Sequence, residues 1–124
     1  MTNTTSYAEA AAVANTIREQ IGHGPLMSLG AHQFHVTSAE RGGLAFKARI
    51  LPFNKNGKRG ERPRIMDVRV VLTKWDLYDV TVTYWNNLDE HSHYRTGGVY
   101  AEQLPGLMLA LDYDGATVLN PRTL

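Results

Sequence analysis

Residues 54–64, NKNGKRGERPR, set Lys55, Lys58, Arg59, Arg62 and Arg64 against a single acid, Glu61. Bases at this density suit the neutralisation of a row of phosphates. Binding of that kind draws on counterion release and is indifferent to base sequence. Gly57 and Gly60 let the backbone approach such a ligand closely. Lys47, Arg49 and Arg69 extend the track along a strand face, and Trp75 and Trp85 offer rings on which bases stack. The competing reading is a solvated hairpin tip, basic only to stay soluble and to blunt a sheet edge.

Other chemistries find less support. His91 and His93 stand two apart beside Asp89 and Glu90. On a strand such residues share a face and reach one metal, but no third or fourth ligand can be named. The segment reads as a polar loop. His32 and His35 fall on opposite faces of one strand, and His32 reads as a half-buried, satisfied histidine. The chain has no Walker loop, G-x-S-x-G, H-E-x-x-H or G-x-G-x-x-G motif, and its acids form no pair spaced for acid–base work. The expectation is a protein that is not an enzyme and takes no cofactor or metal.

The 124 residues fit a single domain, 1–124, large enough to bury a core without staples. There are no cysteines, which removes disulfides, thiolate metal sites and cysteine nucleophiles. The net charge is +1, and since the basic segment alone carries +4 the rest of the chain carries −3. The molecule reads as a mildly acidic body with one basic segment. The first residues lack a basic stretch followed by an apolar one, and no apolar run approaches the roughly 20 residues of a membrane helix. These features lead to the expectation of a soluble, cytoplasmic protein without membrane contact.

The elements that must position these side chains begin with a helix. Ser6 and Glu9 have capping-box spacing, and Ala10, Val13, Ala14, Ile17 and Ile21 form one stripe. Gly22 and Gly24 are expected to stop this helix and Pro25 to prevent its resumption. Four segments then alternate with period two: 31–37, 43–50, 65–73 and 77–85. They turn Phe34 and Val36; Leu44, Phe46, Ala48 and Ile50; Met66, Val68, Val70 and Leu72; and Tyr78, Val80, Val82 and Tyr84 to one side. Tyr100, Leu104, Leu107, Met108 and Leu111 form a second helical stripe, of which Tyr100, Leu104, Leu107 and Met108 are expected to lie buried against Phe34, Phe46, Val68 and Val82. Pro105 must either kink this helix or lie in its first turn. The predicted fold is therefore α+β: a four-stranded antiparallel meander sheet packed by a C-terminal helix, with an N-terminal helix beside it.

Four short motifs carry a resemblance. Leu29, Gly30, Ala31 and Phe34; Gly43, Leu44, Phe46 and Lys47; Leu77 to Val80; and Gly98 to Leu104 give the pattern LGAxxF, GLxFK, LYDV and GVYAxxL. Over roughly residues 15–111 the chain resembles a family of small proteins carried by bacteriophages, prophages and plasmids. The resemblance implies a mobile-element origin and residence in the host cytoplasm, and it brings no activity or site residues. The basic segment is long for that pattern, and Pro105 interrupts a helix expected to be continuous. The order of four strands then a helix also resembles the Whirly type of single-strand DNA binder, a likeness of fold only.

Two functional expectations follow. The first is a mobile-element accessory protein that binds nucleic acid through Lys55, Lys58, Arg59, Arg62, Arg64, Lys47, Arg49 and Arg69. The second is a small host-defence inhibitor that binds a host protein or sequesters a nucleotide signal. A sheet left with an open edge leads to a further expectation, a homodimer or higher oligomer.

Overall fold

Ala10, Ala14, Ile17 and Ile21 are buried along one face of α1 (Tyr7–Ile21). The computed structural model describes residues 7–37, 41–52, 60, 62–111, 113–114 and 117–118. Ser6, and with it the expected cap, lies outside them. α1 ends where Gly22 takes a φ of 91°, a left-handed conformation that suits glycine. The helix resumes at once as α2 (His23–Ser28). Pro25 does not prevent this, because in the first turn its missing N–H would have no helical acceptor.

Five strands follow: β1 (His32–Val36), β2 (Gly43–Ile50), β3 (Arg64–Leu72), β4 (Tyr78–Asn86) and β5 (Asp89–Val99). They form one antiparallel meander in the order β1-β2-β3-β4-β5. The meander is as predicted, but there are five strands in it, not four. The fifth is the segment read as a polar loop. Asn87, with a φ of 59°, makes the tight turn that folds β5 back on β4. The order of four strands then a helix, on which the likeness to Whirly proteins rested, falls with that correction.

The centre of the inner face is apolar. Phe46, Ala48, Ile50, Met66, Val68, Val70, Val80 and Val82 are all but fully buried. Cover comes mainly from α1, which lies over β2 and β1, while α3 (Leu104–Leu111) beds against α1 and α2. The C-terminal helix, expected to supply the cover, contributes Leu104, Met108 and Leu111 to the same core, and α1 shares the task. At 1.5 Å per residue α3 is about 12 Å long, too short to roof a sheet roughly 19 Å wide. Pro105 lies in the first turn of α3, after a 3-10 turn at Ala101–Gln103. Leu104 and Met108 are fully buried and Leu107 is partly so, as the stripe implied. Tyr100 is instead 55% exposed. It is still extended, with φ −78° and ψ 153°, so the helical stripe begins after it.

Side-chain contacts tie these elements together. The Tyr78 hydroxyl donates to Gln20 Oε1 at 2.6 Å, joining β4 to α1. Arg41 donates to the Thr73 carbonyl at 2.8 Å and to Asp76 Oδ1 at 2.6 Å, joining the β1–β2 connection to the β3–β4 turn. Residues 113–114 and 117–118 pair as a small separate ladder, β6 and β7. No helix among the described residues is long and apolar enough to cross a membrane.

Met108→Ala is expected to cost about 2–5 kcal/mol in urea unfolding, as a large-to-small change in a closed core. Tyr100→Ala should stay within about 0.5 kcal/mol, and equal losses would mean that the boundary between β5 and the C-terminal helix is misplaced.

Burial pushes the Tyr78 phenol above its ordinary value of 10.0, with the hydrogen bond to Gln20 opposing it. The folded state therefore holds this proton more tightly than the unfolded chain. The stability it contributes is complete below pH 10 and is lost as pH rises through the folded value. Tyr78→Phe should cost about 1 kcal/mol at pH 8 and make the alkaline decline shallower. An unchanged decline between pH 9 and 11 would show that the phenol does not ionise differently in the two states.

Candidate nucleic-acid interface

With the inner face sealed by helices, the outer face of the sheet is left to water. Strand register brings its side chains into rows. Thr81 pairs with Arg69 on one side and with Arg95 on the other. Adjacent strands lie about 4.8 Å apart, so the two arginines flank the Thr81 hydroxyl roughly 10 Å from each other. One row along, Val71 pairs with Asp79. Arg69, Val71, Asp79, Thr81, Arg95, Thr96 and Gly97 line an open concavity. Gly97 is what leaves it open, since a Cβ at that position would sit 2.8 Å from Asp79 Oδ1. In the other direction Asp67 lies between Lys47 and Thr83. Lys47 Nζ donates to Asp67 Oδ1 at 2.8 Å, and both side chains are about a third exposed. Such a pair adds little stability but neutralises both charges locally.

Trp85 pairs with Glu90 at the far end of the same face and is 57% exposed. The exposed Ile65 and Arg49 are a cross-strand pair at that end. There, too, the chain leaves β2 after Ile50 and returns at Arg64. The Gly60 N–H donates to the Pro52 carbonyl at 2.7 Å and closes the base of the intervening segment. Lys55, Lys58 and Arg59 lie outside the described residues. Arg62 is exposed.

Arg64 faces the other way. It pairs with Ile50, donates to the Trp85 carbonyl at 2.9 Å, and places its guanidinium carbon 5.0 Å above the Tyr84 ring. Tyr84 in turn stacks on His91 at 5.3 Å. Arg64 is thus held in a column on the inner side of the sheet end, and its hydrogen bond fixes the strand that carries Trp85.

Of the residues singled out beforehand, the outer face brings together Lys47, Arg49, Arg69 and Trp85. Trp75 is not with them. It is 73% exposed in the β3–β4 turn, with Lys74 Nζ 5.2 Å from its ring, at the opposite end of β4 and roughly 30 Å away. Arg95 was missed, because its strand was read as a loop. The usable signal was the asparagine pair Asn86-Asn87 directly after a clear strand, a hairpin mark that outweighs the lack of alternation beyond it.

The histidines do not converge. β5 has a register shift where Val82 pairs with Tyr94 but Thr83 pairs with Ser92, which leaves His93 in a bulge. A bulge undoes the rule that residues two apart share a face. No cluster of three or more potential metal ligands occurs among the described residues. His32 is half-buried, and its Nδ1 donates to the Gly30 carbonyl at 2.9 Å, in keeping with the satisfied role read for it.

No protein-family model matches this chain, and no curated protein or solved structure is found similar to it.

Proposed function

We propose that the protein binds single-stranded nucleic acid across the outer face of its sheet, with the basic segment 54–64 as an extension of that surface. The observation that carries this reading is Trp85, an exposed ring on the wet face at the sheet end to which residue 64 returns the chain. Arg49, Arg69 and Arg95 share that face. A flat sheet with an exposed ring suits unstacked bases, and cations beside it suit their phosphates. Paired bases would keep their faces from Trp85. The reading keeps the phosphate chemistry of the basic segment and moves the centre of the interface onto the sheet. By the resemblance to phage and plasmid proteins, the biological setting is an accessory role in a mobile element within the host cytoplasm.

A second reading is a host-defence inhibitor that binds a protein or sequesters a nucleotide. The exposed apolar tip of the β4–β5 hairpin favours it, Leu88 above all at 92% exposed.

The proposed assembly is a homodimer in which the outer edges of two β5 strands meet. β5 is the longest strand, and its far edge has no partner strand among the described residues. Beside it runs a groove against α3 that includes Tyr94, Leu107 and Leu111. Light scattering at tens of micromolar should give twice the chain mass. A monomer mass near 13.8 kDa would remove the dimer.

Titration of labelled single-stranded oligonucleotides tests the binding itself. Trp85→Ala should weaken binding roughly 5- to 150-fold, the range of one base–aromatic stack. Lys58, Arg59 and Arg62 changed together to alanine should flatten the slope of log affinity against log salt by about 2, at roughly 0.7 per lost contact on a single strand. Their effect on folding should stay within about 0.5 kcal/mol. Absence of binding to any DNA or RNA at about 50 mM salt would overturn this reading and leave the inhibitor in its place.

A further inference from the structure

The outer face contains one feature that a phosphate track does not explain. Asp79 stands on it near the β3–β4 turn, beside the Arg69–Thr81–Arg95 row and in the same concavity. A carboxylate there repels phosphates and weakens a purely cationic surface. Elsewhere among the described residues Lys47 and Asp67 neutralise each other, as Arg41 and Asp76 do. Arg69, Arg95 and Asp79 do not. Among the described residues, none of the three side chains has an ion-pair or hydrogen-bond partner. Two donor forks and one acceptor thus face the same space, each with its bonding capacity free.

We infer that this concavity is a ribonucleotide subsite. In it Arg69 and Arg95 hold a backbone phosphate over Thr81, and Asp79 accepts a hydrogen bond from the ribose 2′-hydroxyl. The inference rests on the reading of the outer face as a nucleic-acid surface and goes beyond it, because it selects RNA over DNA. The arginine row and Asp79 are two residues apart along β4, about 6.6 Å. That is a distance that a phosphate and the sugar joined to it can span. A phosphate has only acceptors and needs the two guanidiniums, whereas a charged carboxylate needs a donor, and of the two backbones only ribose brings one. A deoxyribose at the same place leaves Asp79 desolvated without a partner and near a phosphate, so the site rejects DNA as well as accepting RNA.

Gly97 belongs to the same device. It has room for no side chain without displacing the Asp79 carboxylate, which lies 2.8 Å from where its Cβ would be. Only the end of a surface side chain has to move, so Gly97→Ala should disturb the site and spare the fold. Trp85 lies four residues from Thr81 along β4, about 13 Å, so a base stacked there belongs to a neighbouring nucleotide of the same strand.

The test compares oligouridylate with oligodeoxyuridylate of equal length, which differ only in the 2′-hydroxyl, by fluorescence anisotropy at low salt. The wild-type protein should bind the ribo form at least tenfold more tightly, the scale of one hydrogen bond to a charged group. Asp79→Ala and Gly97→Ala should each bring the ratio close to one, mainly by weakening the ribo form, with unchanged circular dichroism. Arg69→Gln with Arg95→Gln should weaken both forms and flatten the salt dependence. Equal binding of the two forms by the wild type overturns the subsite while leaving nucleic-acid binding in place. So does a ribo preference that survives both the Asp79 and the Gly97 variants. Failure of the wild type to bind either form removes the nucleic-acid reading and the subsite together.

Discussion

Burial of one face of the sheet beneath α1 is the constraint on which the rest of this molecule depends. Ile17 and Ile21 of the helix and Phe46, Val68 and Val82 of the sheet are all excluded from water, and together they form one continuous core. The approach is close enough to restrict the chain beneath it. A Cβ at Gly42 would lie 3.0 Å from the Ala10 Cα, and its φ of 88° disfavours any side chain there. At Gly43 a Cβ would fall 2.5 Å from the Val70 carbonyl oxygen, so β2 and β3 reach their register only because that position is bare. Once this face is sealed, the side chains of opposite parity on β3 and β4 are left on the outer face. The proposed functional surface is therefore a consequence of the core, not an addition to it.

β5 shows how a strand without an apolar pattern is still given a place. It has little to bury, and the residues that do turn inward, such as Tyr94 and Thr96, lie at the open margin of the sheet. It is held by its ladder to β4 and by the tight turn at Asn87. Two shifts of register, one at His93 and one at Gly97-Gly98, rotate it relative to a regular strand. Bulges at a sheet edge re-aim side chains and blunt the edge against unwanted pairing. Here they leave Arg95 beside Thr81, keep His93 away from His91, and set Gly97 against Asp79.

The electrostatics of the outer face depend on which charges are already satisfied. Lys47 counts for little toward a polyanion, because Asp67 shares its row and neutralises it. Arg64 is drawn to the inner side, where it rests on Tyr84. Among the described residues Arg69 and Arg95 have no hydrogen-bond or ion-pair partner, and guanidinium forks suit phosphate oxygens better than a point charge does. The weight of the proposed interface therefore lies with two arginines on β3 and β5, one of them in the segment where sequence pattern was weakest.

Local sequence was enough for α1 and for β1 to β4. A helical stripe and four period-two alternations each report directly which face is buried, and burial is the largest favourable term. It also bounded Pro105 to the first turn or a kink, and the first turn is where it lies. The number of strands was beyond it, because β5 is wet on most of its length and leaves no periodic trace of pairing. So was the exposure of Tyr100, which has the spacing of the buried stripe but precedes the helix that would bury it. The candidate bases were legible as composition; their grouping was not. Whether Lys47 meets Asp67, whether Arg64 faces in or out, and which residue stands across from Arg69 are set by register between strands distant in sequence. Register is decided by packing of the whole inner face, and a shift of one residue would turn each of these side chains to the other side.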